Sequence, residues 1–431
     1  MEDANRKKRY AQVGLGHRSL MYTRALLERF SDTCQLVALC DTNQTRMNLR
    51  NGWIQQKTSP APTYRAEDFD RMIQEQKPDW VIVTTIDRYH DLYIVRAMEL
   101  GCDVITEKPM TTDAEKCQRI LDTRKATGRR IKVTFNYRYS PVRSKTRELV
   151  QNGVIGEVRS VDFNWMLDTR HGADYFRRWH RNKANSGGLL VHKATHHFDM
   201  VNWTIGSRPE IVFAVGSRSY ARPQQAEKLG LQGRAERCLD CPAAEKCPYR
   251  LDLKSKELLR ALYLEAEHED GYYRDRCVFS ESIDIEDRVA VAVRYQNGVV
   301  LSYSLNSFLP YEGYRMIING TNGRVESCVQ ETSYISGDGT VPGLMKRKES
   351  SLTVFPLFGA SYPVEIPAAV GGHGGGDDPL LEAVFSDSPP SDPLNRAASE
   401  IDGAYSMLIG AAANRSIATG QAVRIDSLVR F

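Results

Sequence analysis

The first 135 residues alternate short apolar runs with segments of helical periodicity, and that alternation constrains the fold more than any other feature of the chain. "RYAQV" passes through "GLGHRS" into the helical "SLMYTRALLERF". "LVALCD" and "DWVIVTT" read as buried strands, "DRYHDLYIVRAMELG" as a helix, "CDVIT" as a strand and "TTDAEKCQRILDTRKATG" as a helix. Strands joined through helices of this length run parallel, so the expected architecture is a doubly wound parallel sheet.

The first turn has the pattern G-x-G-x-x-S, with Ser19 where a third glycine usually stands. Gly14 permits a tight turn, Gly16 permits close approach of the backbone, and the following helix offers free N–H groups and a positive dipole end. The second strand ends in Asp41, at the distance expected for a carboxylate on an adenosine ribose. Together these features predict a Rossmann domain that binds a dinucleotide. Asp41 favours NAD, and Arg46 nearby leaves NADP open. The strand ends and loops of this half supply the expected cofactor contacts: Gly14, Gly16, His17, Arg18, Ser19, Asp41, Thr42, Arg46, Thr84, Thr85, Asp87, His90, Glu107, Lys108 and Asn136. Lys108 lies at a strand end and precedes Pro109, which restricts it to extended conformations. A lysine fixed there is suited to polarise a hydroxyl or carbonyl beside a nicotinamide.

A chain of 431 residues predicts two domains, placed at 1–135 and 136–431. In the second, "VRSVDFNWML", "IVFAVGSRSY", "RVAVAVRYQ", "GVVLSYSLNSF", "YRMIING" and "RVESCV" read as strands, with a hairpin signal at Asn297–Gly298. Hydrophobic residues at 41% and charged residues at 26% are those of a globular protein. The net charge of +4 is dispersed apart from "RKKR" at 6–9, which gives no nucleic-acid grip. No apolar run is long enough for a membrane helix and no signal peptide is visible, so the expected location is the cytoplasm.

The segments "VGLGHRS", "LVALCDTN", "VIVTTIDRYH", "GCDVITEKPMTT", "VTFNYRYSP" and "GGLLVHKATHHFDMVNWTIG" resemble the Gfo/Idh/MocA family of sugar and cyclitol oxidoreductases. The resemblance implies a Rossmann domain followed by a domain with a large, open, mostly antiparallel sheet. It also implies an Asp–His–Asp pattern at the active site, in which Asp199 sets the register and His196 matches the catalytic histidine. This chain departs from the pattern by placing His192 at the first Asp and Lys193 beside it.

Three histidines and a lysine thus crowd positions 192–197 of an otherwise apolar segment. If the segment is helical, His192 and His196, and likewise Lys193 and His197, are spaced i,i+4 and share a face. Imidazole is suited to take a hydroxyl proton, and an ammonium to stabilise the developing alkoxide. The expected roles are His196 as general base, Lys108 polarising the oxygen, and Lys193 and His192 binding or relaying. The expected substrate contacts are Arg138, His171, Asp174, Tyr175, Arg178, Trp179, His180, His197, His373 and Asp377, the last two in the glycine-rich "GGHGGGDD". That loop is also readable as a flexible linker.

Cys34, Cys40, Cys102 and Cys117 fall in apolar contexts typical of reduced core thiols. Cys238, Cys241, Cys247 and Cys277, in an insertion at about 220–285, are spaced for a structural zinc site, with an iron–sulfur cluster, and free thiols or disulfides, as the lesser expectations. The insertion's aromatic and acidic tail, "LYLEAEHEDGYYRDR", is expected to reach the substrate or a neighbouring subunit. The function expected is hydride transfer from a secondary hydroxyl of a sugar, glycoside or cyclitol to NAD(P), by a homodimer or homotetramer. Two alternatives stand beside it. One is a glycosidase that cleaves through transient C3 oxidation by retained NAD, because "HGGGD" is similar to a loop of the family-109 glycosidases. The other is a dinucleotide-gated regulator without turnover.

Overall fold

The computed structural model describes residues 6–332, 350–369 and 372–431. Six strands form a parallel sheet in the order β3-β2-β1-β4-β5-β6, with β1 Lys8–Val13, β2 Cys34–Asp41, β3 Thr63–Arg65, β4 Trp80–Val83, β5 Asp103–Thr106 and β6 Ile131–Val133. Both faces are covered, so β4 reads as four consecutive buried apolar residues. The main crossover helices are α1 Leu20–Arg24, α2 Gln44–Ile54, α3 Phe69–Gln76, α4 His90–Glu99 and α5 Ala114–Thr127. The first is shorter than its periodicity suggests: the chain goes on from α1 into a wider π turn, Ala25–Arg29, with Phe30 N–H donating to Ala25 O. Asn43 and Asp113 cap α2 and α5 by accepting from Arg46 N–H and Lys116 N–H.

A second, nine-stranded sheet has the order β14-β13-β12-β11-β7-β10-β9-β8-β15. Its strands are β7 Val158–Asp168, β8 Pro209–Ser217, β9 Arg288–Tyr295, β10 Val300–Leu309, β11 Glu312–Gly320, β12 Gly323–Thr332, β13 Ser351–Pro356, β14 Tyr362–Pro363 and β15 Val423–Arg424. The sheet is mixed, because β10 runs parallel to β7 while the other pairs are antiparallel. Asn297–Gly298 turns β9 into β10, with Gly298 N–H donating to Tyr295 O. Strict alternation in β9 buries Val289, Val291, Val293 and Tyr295 and exposes Arg288, Ala290, Ala292 and Arg294. The buried face packs against the helices Ala194–Ile205 and Glu400–Thr419. Among the described residues no helix is long and apolar enough to cross a membrane.

Arg138, which the sequence suggests for substrate contact, is buried between elements. It reaches Asp199 of the helix Ala194–Ile205 through two nitrogens, at 2.8 and 2.5 Å, and Asp402 of the helix Glu400–Thr419 at 2.9 Å. This fork pins the helix that carries His196. Removing the cation strands a fully buried carboxylate, which typically costs about 3–5 kcal/mol. Arg138→Met is therefore expected to lower unfolding stability by an amount of that order in a urea titration, whereas exposed Arg159→Met should change it by less than about 0.5 kcal/mol.

Candidate active site

A cleft of about 800 Å³ opens along the carboxyl ends of β1, β2, β4 and β5 and extends to residues 171–196 of the second half. Gly14 turns at φ +82°, and a Cβ there would lie 2.6 Å from Thr85 N, so the turn is pressed against the end of β4. Thr84 Oγ1 fixes the approach by donating to Gly14 O at 2.6 Å. Gly16 faces the cleft, where an added Cβ would meet nothing nearer than Tyr263 Oη at 3.9 Å. Asp41 accepts the N–H groups of Leu15 at 2.5 Å and Asn43 at 2.9 Å, which aims its carboxylate at the turn. A tight turn, a missing Cβ over open space and a carboxylate at the end of β2 fit a dinucleotide's pyrophosphate and adenosine ribose.

At the other end Lys108, just past β5, donates to His192 O at 3.2 Å. Burial pushes its ammonium down to about 8, with the Asp87 and Glu107 carboxylates opposing the shift. Glu107 accepts from Arg18 Nε at 2.6 Å and Tyr22 Oη at 2.7 Å. His90 spans from Pro109 O at 2.9 Å to Thr85 O at 3.2 Å, tying the loop after β5 to the loop after β4.

The short helix Gly188–His192 ends one residue before the helix Ala194–Ile205 begins, so the two i,i+4 pairs are not on one continuous helix. His192, Lys193 and His196 line the cleft. His192 Nδ1 and Asp87 Oδ2 are 2.5 Å apart, and burial favours the uncharged form of each partner. His196 stacks on Tyr137 at 4.3 Å, and its Nδ1 is buried with no hydrogen-bond partner. Burial, followed by the Lys108 charge, holds its imidazole well below the usual histidine range, hence neutral at pH 7. Lys193 Nζ pairs with Glu312 Oε1 at 3.1 Å and lies 4.7 Å over the Trp165 ring. Glu312 also meets His171 Nδ1 at 2.8 Å, and Tyr175 Oη meets His171 Nε2 at 2.8 Å.

Other expected residues divide by position. His17, Arg18, Thr42, Thr84, Thr85, Asp87, Asp174, Arg178, Trp179, His180 and His373 line the cleft. His180 stacks under Trp179 at 3.6 Å, with its Nδ1 buried and unpartnered. Of "GGHGGGDD", Gly371 lies outside the described residues, His373 lines the cleft, and Gly374 and Gly376 sit against residues 136–143. Asp377 joins His373 at 3.0 Å and accepts from Asn136 at 2.7 Å and from Arg18 at 3.5 Å, bracing the wall from behind. Ser19 is buried beneath the glycine turn, donating to Gly16 O. His197 is turned onto the second sheet, stacked on Trp165 at 4.0 Å and 2.7 Å from Tyr303 Oη.

Sequence reasoning missed Tyr137, Glu312 and Arg65, and it reached Tyr263, Glu269 and Asp270 only as part of the insertion's aromatic and acidic tail. Glu312 carries no local signal, because nothing about one acid in a strand indicates that a lysine and a histidine face it. The aromatic and acidic tail reaches both ends of the cleft: Arg274 pairs with Asp174 at 2.7 Å, and Tyr263 Oη accepts His17 N–H at 3.1 Å.

The zinc and iron–sulfur expectations are not supported. Cys238, Cys241, Cys247 and Cys277 are free thiols around one cavity of about 20 Å³, but among the described residues no group of three or more His, Cys, Asp or Glu side chains is arranged to hold a metal ion. Arg177, Tyr249 and Phe279 pack with the thiols, and burial raises the Cys247 thiol to about 11. The strand-like pairing of Cys238 N–H with Asp275 O and of Cys277 N–H with Glu236 O closes the base of the insertion.

Residues 8–135 match the oxidoreductase-family NAD-binding Rossmann fold, and residues 147–425 match the oxidoreductase-family C-terminal alpha/beta domain. YteT of Bacillus subtilis strain 168, named an oxidoreductase, is 38% identical over 97% of this chain and 98% of its own. The D-glucoside 3-dehydrogenase of Escherichia coli K12 is 28% identical over 46% of this chain and 54% of its own. Among solved structures, the WlbA dehydrogenase of Chromobacterium violaceum, in complex with NADH and UDP-GlcNAcA, superposes with a TM-score of 0.65 at 18% identity, over 98% of this chain and 97% of its own.

Despite its burial, Glu312 is held at about 2 by His171 and Lys193, below the ordinary 4.5. A depressed carboxylate contributes stability that is fully present above its unfolded value and is lost as pH falls through its folded one. Folding stability is therefore expected to drop between about pH 4.5 and 2, by as much as roughly 3 kcal/mol from this group. Glu312→Gln should be less stable at pH 7 and flatter across that window in urea unfolding.

Proposed function

Because the chain belongs to the Gfo/Idh/MocA oxidoreductase family, we propose that it oxidises a secondary hydroxyl of a sugar, glycoside or cyclitol with NAD(P). The observation that carries this reading is that Lys108 and His196, remote in sequence, line the same cleft as the glycine turn. The names of relatives support the substrate class: D-glucoside 3-dehydrogenase, and inositol dehydrogenases that match about a third of the chain.

A dinucleotide held by the Gly14–Gly16 turn and Asp41 would supply the hydride acceptor through its nicotinamide. Lys108 holds the substrate oxygen and stabilises the negative charge that grows on it as hydride leaves. His196, kept neutral by burial, receives the hydroxyl proton on its imidazole. Asp87 orients His192 beside Lys108, and the Lys193–Glu312 pair adds a fixed cation to the same wall. Tyr175, held by His171, together with Arg178 and His180 presents hydrogen-bonding groups, and Trp179 a ring face, to a polyhydroxylated ligand.

The test is a panel of free and glycosylated sugars and cyclitols with NAD and with NADP, following both reduced nicotinamide and carbohydrate products. Stoichiometric reduction of nicotinamide with a keto-sugar product is the expected result; aglycone release without net reduction would overturn it. Lys108→Met and His196→Asn are each expected to lower kcat by about 10²–10⁴. Since Lys108 loses its proton near pH 8 while His196 is already neutral at pH 7, oxidation should fall off above about pH 8. Lys108→Arg, which stays charged, should lose that alkaline limb in a pH–kcat profile.

A further inference from the structure

Residues 257–275 of the insertion form a strap across the adenosine end of the cleft, contributed by the second half of the chain. It meets the loop after β2 through Asn43, Gln44, Thr45 and Arg46. Ala266 O accepts from Asn43 Nδ2 at 2.8 Å, and Leu262 O accepts from Arg46 Nε at 3.0 Å. Glu269 takes the two N–H groups at the start of α2, from Gln44 and Thr45 at 2.7 Å each, and pairs with Arg65 at 3.0 Å. Asp270 pairs with Arg46 Nη1 at 2.6 Å, while Asp41 stands 3.8 Å from the same nitrogen. These contacts hold the Glu269 carboxyl at about 2 even though burial pulls the other way.

NADP differs from NAD by a phosphate on the adenosine ribose, and the position after β2 is where a Rossmann domain receives that ribose. A 2′-phosphate needs cations and free N–H groups. Here Arg46, Arg65 and the start of α2 offer those groups, and the strap's two carboxylates occupy them. With Asp41 and Glu67 also lining this end, four carboxylates face two guanidiniums. Arg46 Nη2 is buried without a partner, a donor suited to a neutral ribose hydroxyl.

We propose that Glu269 and Asp270 make the site specific for NAD, standing where the 2′-phosphate of NADP would bind and holding Arg46 away from it. The proposal rests on the dinucleotide reading above and deepens it: an insertion in the substrate half, rather than Asp41 alone, sets which cofactor is accepted.

The experiment measures NADH and NADPH affinities by fluorescence titration of nucleotide-free protein, with thermal unfolding as a check on folding. Wild type is expected to prefer NADH. Asp270→Asn, and more strongly Glu269→Gln/Asp270→Asn, should narrow the preference at least about tenfold, through tighter NADPH binding with NADH changed less than about threefold. Adding Arg46→Leu to Asp270→Asn should erase the gain. Equal wild-type affinities, an unchanged ratio in folded Asp270→Asn, or a gain that survives loss of Arg46 would each overturn the proposal. If the double variant does not fold, the single variant decides. Wild type that binds NADH while the ratio stays fixed would sink only the strap's role, whereas wild type that binds neither nucleotide would sink the dinucleotide reading as well.

Discussion

Parallel strands joined by crossover helices all finish on the same edge of their sheet, and the cleft depends on that constraint. β1 delivers the Gly14 turn there, β2 delivers Asp41, β4 delivers Thr84 and Thr85, and β5 delivers Glu107 and Lys108. No strand end could be moved to the other edge without reversing the strand. The second half of the chain therefore has to close over this edge, and it does so with residues 171–196 at one end and with residues 257–275 at the other.

Closing over the edge takes many ionisable groups out of water, which is tolerable only where each finds a partner. Glu107 is held by Arg18 and Tyr22, Glu312 by Lys193 and His171, Asp87 by His192, and Arg138 by Asp199 and Asp402. His196 and His180 are exceptions, each with an unpartnered ring nitrogen beside the cleft. The same desolvation that demands partners elsewhere keeps His196 neutral and lowers Lys108, so a base and a readily deprotonated ammonium share one wall.

The insertion joins both ends of the cleft. Its base is closed by backbone pairing next to the thiol cluster, Arg274 reaches Asp174 at one end, and Glu269 and Asp270 reach the loop after β2 at the other. A segment carried by one half of the protein thus shapes the ligand pocket of the other.

Much of the first half is legible from the amino-acid order alone, because a glycine turn, a strand-end carboxylate and a Lys-Pro step are local patterns with local causes. The alternation in β9 and the Asn297–Gly298 turn are legible for the same reason. Spacing could not decide which of the adjacent His196 and His197 faces the cleft; the helix's rotation against Trp165 and Tyr303 decided it. Nor could spacing reveal that Arg138 serves Asp199, that Glu312 serves Lys193, or that Asp270 claims Arg46, since these partners lie 61, 119 and 224 positions apart. The sequence by itself determined the parallel sheet and the residue types at its open edge. Tertiary structure decided their charge states and pairings, because burial and proximity belong to the packed chain and not to its order.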